Sequence, residues 1–180
     1  MKDIPNLLLI AGTGRNTGKT TLACSIINKF SSNFQVIGLK ISPHFHGGTD
    51  SLKTIVNDNN FNIYEETSAS TVKDSSLMLK AGAAKVFYIE VLDEYLKTAF
   101  EQFLNILPKS HPLICESPAL RKYIQPGVFF IVDSERNKNK KKEILEFREK
   151  AEMWIDTDND NIQDIINKIK SINSSWHFFK

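Results

Sequence analysis

The stretch GTGRNTGKT, residues 12–20, collects residue types that bind phosphate. Gly18, Lys19 and Thr20 match the end of the pattern G-x-x-x-x-G-K-[ST]. The first glycine of that pattern would stand at position 13, which is Thr13, flanked by Gly12 and Gly14. Glycines let a backbone curl until successive N–H groups point inward, and a helix that starts there adds partial positive charge. The candidate nucleotide-binding loop therefore runs from Gly14 through Arg15, Asn16, Thr17 and Gly18 to Lys19, Thr20 and Thr21. Lys19 would reach the β and γ phosphates and stabilise charge during catalysis, and Thr20 would place its hydroxyl on Mg²⁺. The alternative is a glycine turn with a chance lysine at a helix start.

The flanking segments suit a phosphate loop. Leu7 to Ala11 is a short apolar run, as expected of a strand buried on both faces. Gly18 to Phe30 carries Leu22, Ile26, Ile27 and Phe30 at helical spacing. Further strands are expected at Phe34–Lys40, Lys85–Val91, Pro112–Glu116, Val128–Asp133 and Met153–Asp156. Helices are expected at Ser75–Ala81, after a capping Asp93, at Glu143–Lys150 and from Asp160 onward. Residues 42–60 are polar, contain Gly47-Gly48, and read as a long loop around a short helix. Strand and helix alternate about five times. That predicts an α/β fold, a mostly parallel sheet flanked by helices, in a single domain over 1–180. Such sheets bind ligands at the carboxyl ends of their strands, here just after Ala11, Lys40, Val91, Cys115 and Asp133.

Bulk properties narrow the classes. The 180 residues are 41% hydrophobic and 24% charged, as in a globular protein long enough to bury a core. A net charge of +2 gives no argument for a nucleic-acid partner. The basic run RNKNKKK (136–142) reads as a solvated helix entrance, with a phosphate contact as the alternative. Cys24 and Cys115 fall in a predicted helix and strand, read as small buried residues, and suit a reducing cytoplasm. Leu7 to Ala11 is too short for a leader or a membrane span.

The shifted first glycine is shared with a known family. GTGRNTGKT resembles GTDTxVGKT, the phosphate loop of dethiobiotin synthetase, in the branch of P-loop NTPases that also holds MobB, the molybdopterin-guanine dinucleotide biosynthesis protein. VIGLKISPHFH (36–46) is similar to the MobB second strand and its histidine-rich loop. KDSSLMLKAGA (73–83) resembles the MobB KDS…REAGA segment, and MWIDTDNDNIQDIINKI the closing strand, acidic turn and helix. The likeness covers most of the chain and implies a three-layer P-loop NTPase architecture, Mg²⁺, and ATP or GTP.

Carried over by residue, the resemblance makes Thr20, Asp74 and Glu116 metal-facing. It places Arg15 where some members carry a signature lysine, and makes Lys40 a holder of substrate near the γ-phosphate. A hydroxyl and two carboxylates, completed by waters and phosphate oxygens, suit an octahedral Mg²⁺. Each residue has a plainer reading: a helix N-cap for Asp74, a pair with Arg121 or Lys122 for Glu116, a solvent lysine for Lys40. His44 and His46 form an H-x-H, two short of a usual zinc set.

The chain also departs from its relatives. Ser117-Pro118 stands where the family has glycine after the glutamate, against a strict dethiobiotin assignment. SPHFHGG has fewer histidines than the MobB loop. No N-K-x-D guanine-reading motif occurs, so GTP is preferred over ATP only through the MobB resemblance. The expected function is Mg²⁺-dependent nucleotide binding with slow hydrolysis and a second small molecule or protein partner docked over Lys40 to Gly48, and the resemblance implies a MobB-like accessory role in cofactor biosynthesis. The alternatives are an ATP-dependent ligase or kinase, and a non-catalytic module gated by nucleotide. The resemblance also implies a homodimer.

Overall fold

In the computed structural model, β1 (Lys2–Gly12) lies near the middle of an eight-stranded sheet, hydrogen-bonded on either side to β6 (Leu113–Glu116) and β7 (Ile124–Asp133). The structure describes residues 1–47, 49–107, 111–136, 140 and 142–171, with side chains through 169. The other strands are β2 (Ile37–Ser42), β3 (Leu52–Asn57), β4 (Phe61–Glu66), β5 (Lys85–Val91) and β8 (Met153–Asp156). Strand order is β3-β4-β5-β2-β6-β1-β7-β8. The six strands from β5 to β8 are parallel, and β3 and β4 add an antiparallel hairpin at the β5 edge.

The apolar run in β1 explains its central place. Leu7, Leu9 and Ala11 enter the core on one face of the sheet, while Leu8 and Ile10 enter the core on the other. Alternation at period two thus feeds both layers, and each fully buried Leu or Ile contributes about 1.5–3 kcal/mol relative to exposure. One layer is built by α1 (Lys19–Phe30), α2 (Asp74–Lys80) and α5 (Ile162–Ser171), through Leu22, Ile26, Met78, Ile165 and Ile169. The opposite layer is built by α3 (Leu96–Ile106) and α4 (Lys142–Leu145), through Leu96, Phe100, Phe103 and Ile144. The α/β reading holds: the sheet is mostly parallel, with helices on both faces.

Four local expectations are corrected. Residues 42–60 hold strand β3 and no helix among those described. Asp58 starts the hairpin turn, accepting from the Asn60 N–H at 2.9 Å while its own N–H donates to Phe61 O at 3.0 Å. Asp93 makes no side-chain cap; it opens a 3₁₀ turn, Asp93–Tyr95, that leads into α3. The helix expected over Glu143–Lys150 stops at Leu145, because Phe147 turns into the core and Arg148 stacks over Trp154 at 5.0 Å. Asp160 accepts from the Asp156 N–H instead of starting α5, and Asn161 caps that helix by accepting from the Gln163 N–H. Gly48 and, within the basic run, residues 137–139 and 141 lie outside the described residues. No helix among the described residues is long and apolar enough to cross a membrane.

Candidate nucleotide and metal site

The loop between β1 and α1 is held from below by its odd threonine. Thr13 is fully buried; its N–H donates to Val132 O at 3.0 Å and its hydroxyl to Asp133 Oδ1 at 2.5 Å. The residue that breaks the common pattern therefore ties the loop entrance to the end of β7. Gly12 is needed for another reason. A Cβ there would stand 2.5 Å from Lys19 Cδ and 2.7 Å from Thr17 Oγ1, so the glycine makes room for the stem of Lys19. Asn16 and Gly18 take left-handed backbone angles, φ 55° and 84°. A Cβ on Gly18 would also meet Thr157 Cγ2 at 2.9 Å. The Thr157 hydroxyl faces the carbonyls of Thr17 and Asp133, each at 3.1 Å, which joins the loop to the segment after β8.

Inside the loop, Lys19 Nζ donates to Gly14 O at 2.8 Å and to Thr17 Oγ1 at 3.2 Å. The lysine is folded onto its own loop. Arg15, Asn16 and Thr21 are exposed and Thr17 is buried.

Thr20, Asp74 and Glu116 converge across the carboxyl edge of the sheet. The Thr20 hydroxyl lies 2.8 Å from Glu116 Oε2 and 3.0 Å from Asp74 Oδ1. It carries one hydrogen, so it donates to one carboxylate at a time. Lys40 Nζ closes the ring, 2.5 Å from Glu116 Oε1 and 2.7 Å from Asp74 Oδ2. Burial pushes the Asp74 carboxyl up, but the charge and hydrogen bond of Lys40, the Thr20 hydroxyl and the charge of Lys19 outweigh it and hold it below the usual range. Burial likewise pushes Lys40 down, and the charges of Glu116 and Asp74 outweigh that, so its ammonium is held above its ordinary value.

Two plainer readings are overturned here. Asp74 is the first residue of α2, and the N-cap position is Lys73, which makes no side-chain cap. Glu116 does not pair with Arg121 or Lys122. The Arg121 guanidinium donates to Ile124 O and Gln125 Oε1, and Lys122 pairs with Glu143. Ser117 is buried and accepts from the Leu120 N–H at 3.3 Å, opening the 3₁₀ turn Leu120–Lys122.

Beside Lys40 opens a cavity of about 430 Å³. Its lining includes Lys40, Ser42, His46, Gly47, Lys73 and Tyr88. The loop after β2 is fixed over it by buried Glu90, which accepts from the His46 N–H at 2.8 Å and from the Tyr64 hydroxyl at 3.3 Å. His44 and His46 have ring centroids 6.2 Å apart, and no group of three or more His, Cys, Asp or Glu among the described residues has the arrangement to hold a metal. Cys115 is buried as expected, but Cys24 is only half-buried; burial and the charges of Asp74 and Glu116 push its thiol up to about 11, which keeps it a poor nucleophile.

Compared with protein-family models, curated proteins and solved structures, the chain matches none.

Sequence reasoning missed Thr13 and Thr157 as parts of the loop's support. It also treated Lys40 and the two carboxylates as separate actors. The threonine tie gives a testable pH dependence. Burial raises the Asp133 carboxyl, while hydrogen bonds from Lys140, Thr13 and the Ser134 N–H outweigh it and hold it below the ordinary carboxylate range. A carboxyl lowered by folding adds stability above its unfolded pKa and loses it as pH falls through the folded one. Thr13→Val should therefore cost about 1.5–3 kcal/mol at neutral pH, the range for a hydrogen bond to a charged group. The difference from wild type should shrink at an acid pH below the ordinary carboxylate range, as Asp133 takes up its proton. Urea unfolding of both proteins at the two pH values checks this; a difference that stays constant would refute it.

Proposed function

We propose that the chain is a Mg²⁺-dependent nucleotide-binding protein that hydrolyses ATP or GTP slowly, in the manner of the MobB-like P-loop NTPases, in a cytoplasmic setting. What carries the reading is the convergence of Thr20, Asp74 and Glu116 beside the loop of residues 12–20. The donor set fits a hard divalent ion: two carboxylates and a hydroxyl, all oxygen, with a single hydroxyl proton between two acidic groups. The Lys40 ammonium between the same carboxylates already stands in for positive charge. Mg²⁺ held by Thr20, Asp74 and Glu116 would neutralise phosphate charge there.

The chain's own groups would do the rest. The N–H groups from Asn16 to Thr21 would face the β-phosphate, aided by the N-terminus of α1. Lys19 would leave Gly14 O for the phosphate oxygens and stabilise the charge that builds on the transferring group. Asp133, through Thr13, and Thr157, through the Thr17 carbonyl, hold the loop so that its backbone N–H donors need not reorganise.

The cavity beside Lys40 favours a second reading, transfer of the phosphoryl group to a small acceptor by a ligase or kinase. Thermal shift with ATP, GTP, ADP and GDP, each with and without Mg²⁺, tests the first reading. A nucleotide at about 100 times its Kd should add about 2.7 kcal/mol of stability. No stabilisation by any of them would end it. Lys40→Ala should reduce multiple-turnover phosphate release while metal-free nucleotide affinity holds within about threefold. If nucleotide binding is lost as well, Lys40 belongs to the phosphate site and the acceptor wall lies elsewhere, with the segment after Glu116 next in line.

A further inference from the structure

Each of the two carboxylates at the candidate metal site spends one oxygen on Thr20 and the other on Lys40. The four side chains form a closed ring with one surplus negative charge. Lys40 also lines the neighbouring cavity, together with Lys73, His46 and Tyr88. We infer that Lys40 is the resident cation of the carboxylate pair, that a divalent metal displaces it, and that its ammonium then turns into the cavity to bind an oxyanion of a small acceptor.

This rests on the metal reading of Thr20, Asp74 and Glu116 given above. A dication and an ammonium sharing two carboxylates repel each other, and the metal takes the carboxylates because it carries twice the charge. The cavity that the lysine already borders, with the polar side chains of Ser42, Lys73 and Tyr88 on its lining, is a polar surrounding open to it. A cavity of about 430 Å³ suits a metabolite-sized molecule. Lys73 adds a second positive charge to a lining whose carboxylate, Asp74, is taken up by the metal, so the favoured ligand carries a carboxylate or phosphoryl group. The order of events follows: before the metal arrives, the ammonium is tied up and the acceptor site is incomplete. The acceptor then binds after the metal, which keeps the site closed to it in the metal-free protein.

Electron paramagnetic resonance of Mn²⁺ with the nucleotide-free protein gives the first test. Lys40→Met should bind Mn²⁺ about tenfold or more tightly than wild type, because it removes a competitor from the carboxylates. Lys73→Met removes a charge from the same cavity without touching the ring, and should change Mn²⁺ affinity less than about twofold. Equal or weaker Mn²⁺ binding by Lys40→Met, or an equal gain in Lys73→Met, overturns the inference. The second test uses wild type alone and survives any folding defect of the variants. Labelling of Lys40 by trinitrobenzenesulfonate, followed by peptide mass spectrometry, should be several-fold faster with ADP and Mg²⁺ than with ADP and a chelator. An unchanged or slower rate, with ADP shown to bind in both states, also overturns it. Should ADP bind in neither state, the nucleotide reading falls, and the nucleotide-free Mn²⁺ comparison still decides the role of Lys40.

Discussion

Lys19→Ala is expected to abolish measurable nucleotide binding and leave the fold intact. The side chain lies in the loop, with its ammonium on Gly14 O and Thr17 Oγ1, and contributes nothing to either apolar core. Its removal frees space beside Gly12, where the stem packs, and costs little stability. With nucleotide bound, the same ammonium would be the closest positive group to the phosphates that the chain itself supplies. Truncating one partner of such a charge pair costs about 2–5 kcal/mol of binding, a factor of about 30 or more in Kd. Calorimetric titration with ADP and Mg²⁺, beside circular dichroism of the free variant, reads both parts. Unchanged affinity would sink the phosphate-loop reading whatever the other residues do.

Glu116→Gln is expected to separate metal from nucleotide. Glu116 is 2% exposed, accepts from Thr20 and Lys40, and ends the strand next to β1. The amide keeps the shape but presents donor hydrogens to one of two donors, so folding stability should drop by about 1–3 kcal/mol. The gain in ADP affinity conferred by Mg²⁺ should fall by at least about tenfold, while metal-free affinity changes little. Asp74→Asn should show the same loss of metal dependence at a smaller cost in stability, because Asp74 is 40% exposed on its side chain. An unchanged Mg²⁺ dependence in both variants would remove the carboxylates from the metal site.

The parts of this arrangement that could be read in the sequence are those encoded locally. The Leu7–Ala11 run gave the central strand, the Leu22–Phe30 spacing gave α1, and the Gly-Lys-Thr step between them gave the loop. Asp74 and Glu116 were found through their resemblance to acidic positions of a family, and the fold brings both to Thr20. Contacts made by distant segments were not legible. Thr13 and Asp133 are 120 residues apart, and nothing in either neighbourhood announces the other. Thr157 and Thr17 are separated by 140. The ion pairs of Lys40 were hidden for the same reason. β3 was missed because its residues are half-buried or exposed, which leaves little alternation to detect. The charged segment after Lys142 had helical spacing, but Phe147 and Arg148 find better contacts with Phe129 and Trp154 than a continued helix would give them.

The hairpin's position at the sheet margin sets how the two halves of the candidate site breathe. β1 carries the phosphate loop and is bonded along both sides, with Leu7 to Ala11 sealed from water. β3, which brings Leu52 to the cavity beside Lys40, is bonded to β4 alone and leaves its outer row of backbone groups without a strand partner among the described residues. Amide hydrogen exchange should follow that gradient. The amides of Leu7 to Ala11 should exchange only when the whole chain unfolds, and those of β3 through a local opening that leaves the centre of the sheet intact. On the proposed reading, the chain would grip phosphate from its most enclosed strand and meet an acceptor beside one that can open on its own. Insertions or sequence drift in the hairpin would then re-tailor the acceptor wall without disturbing the loop after β1.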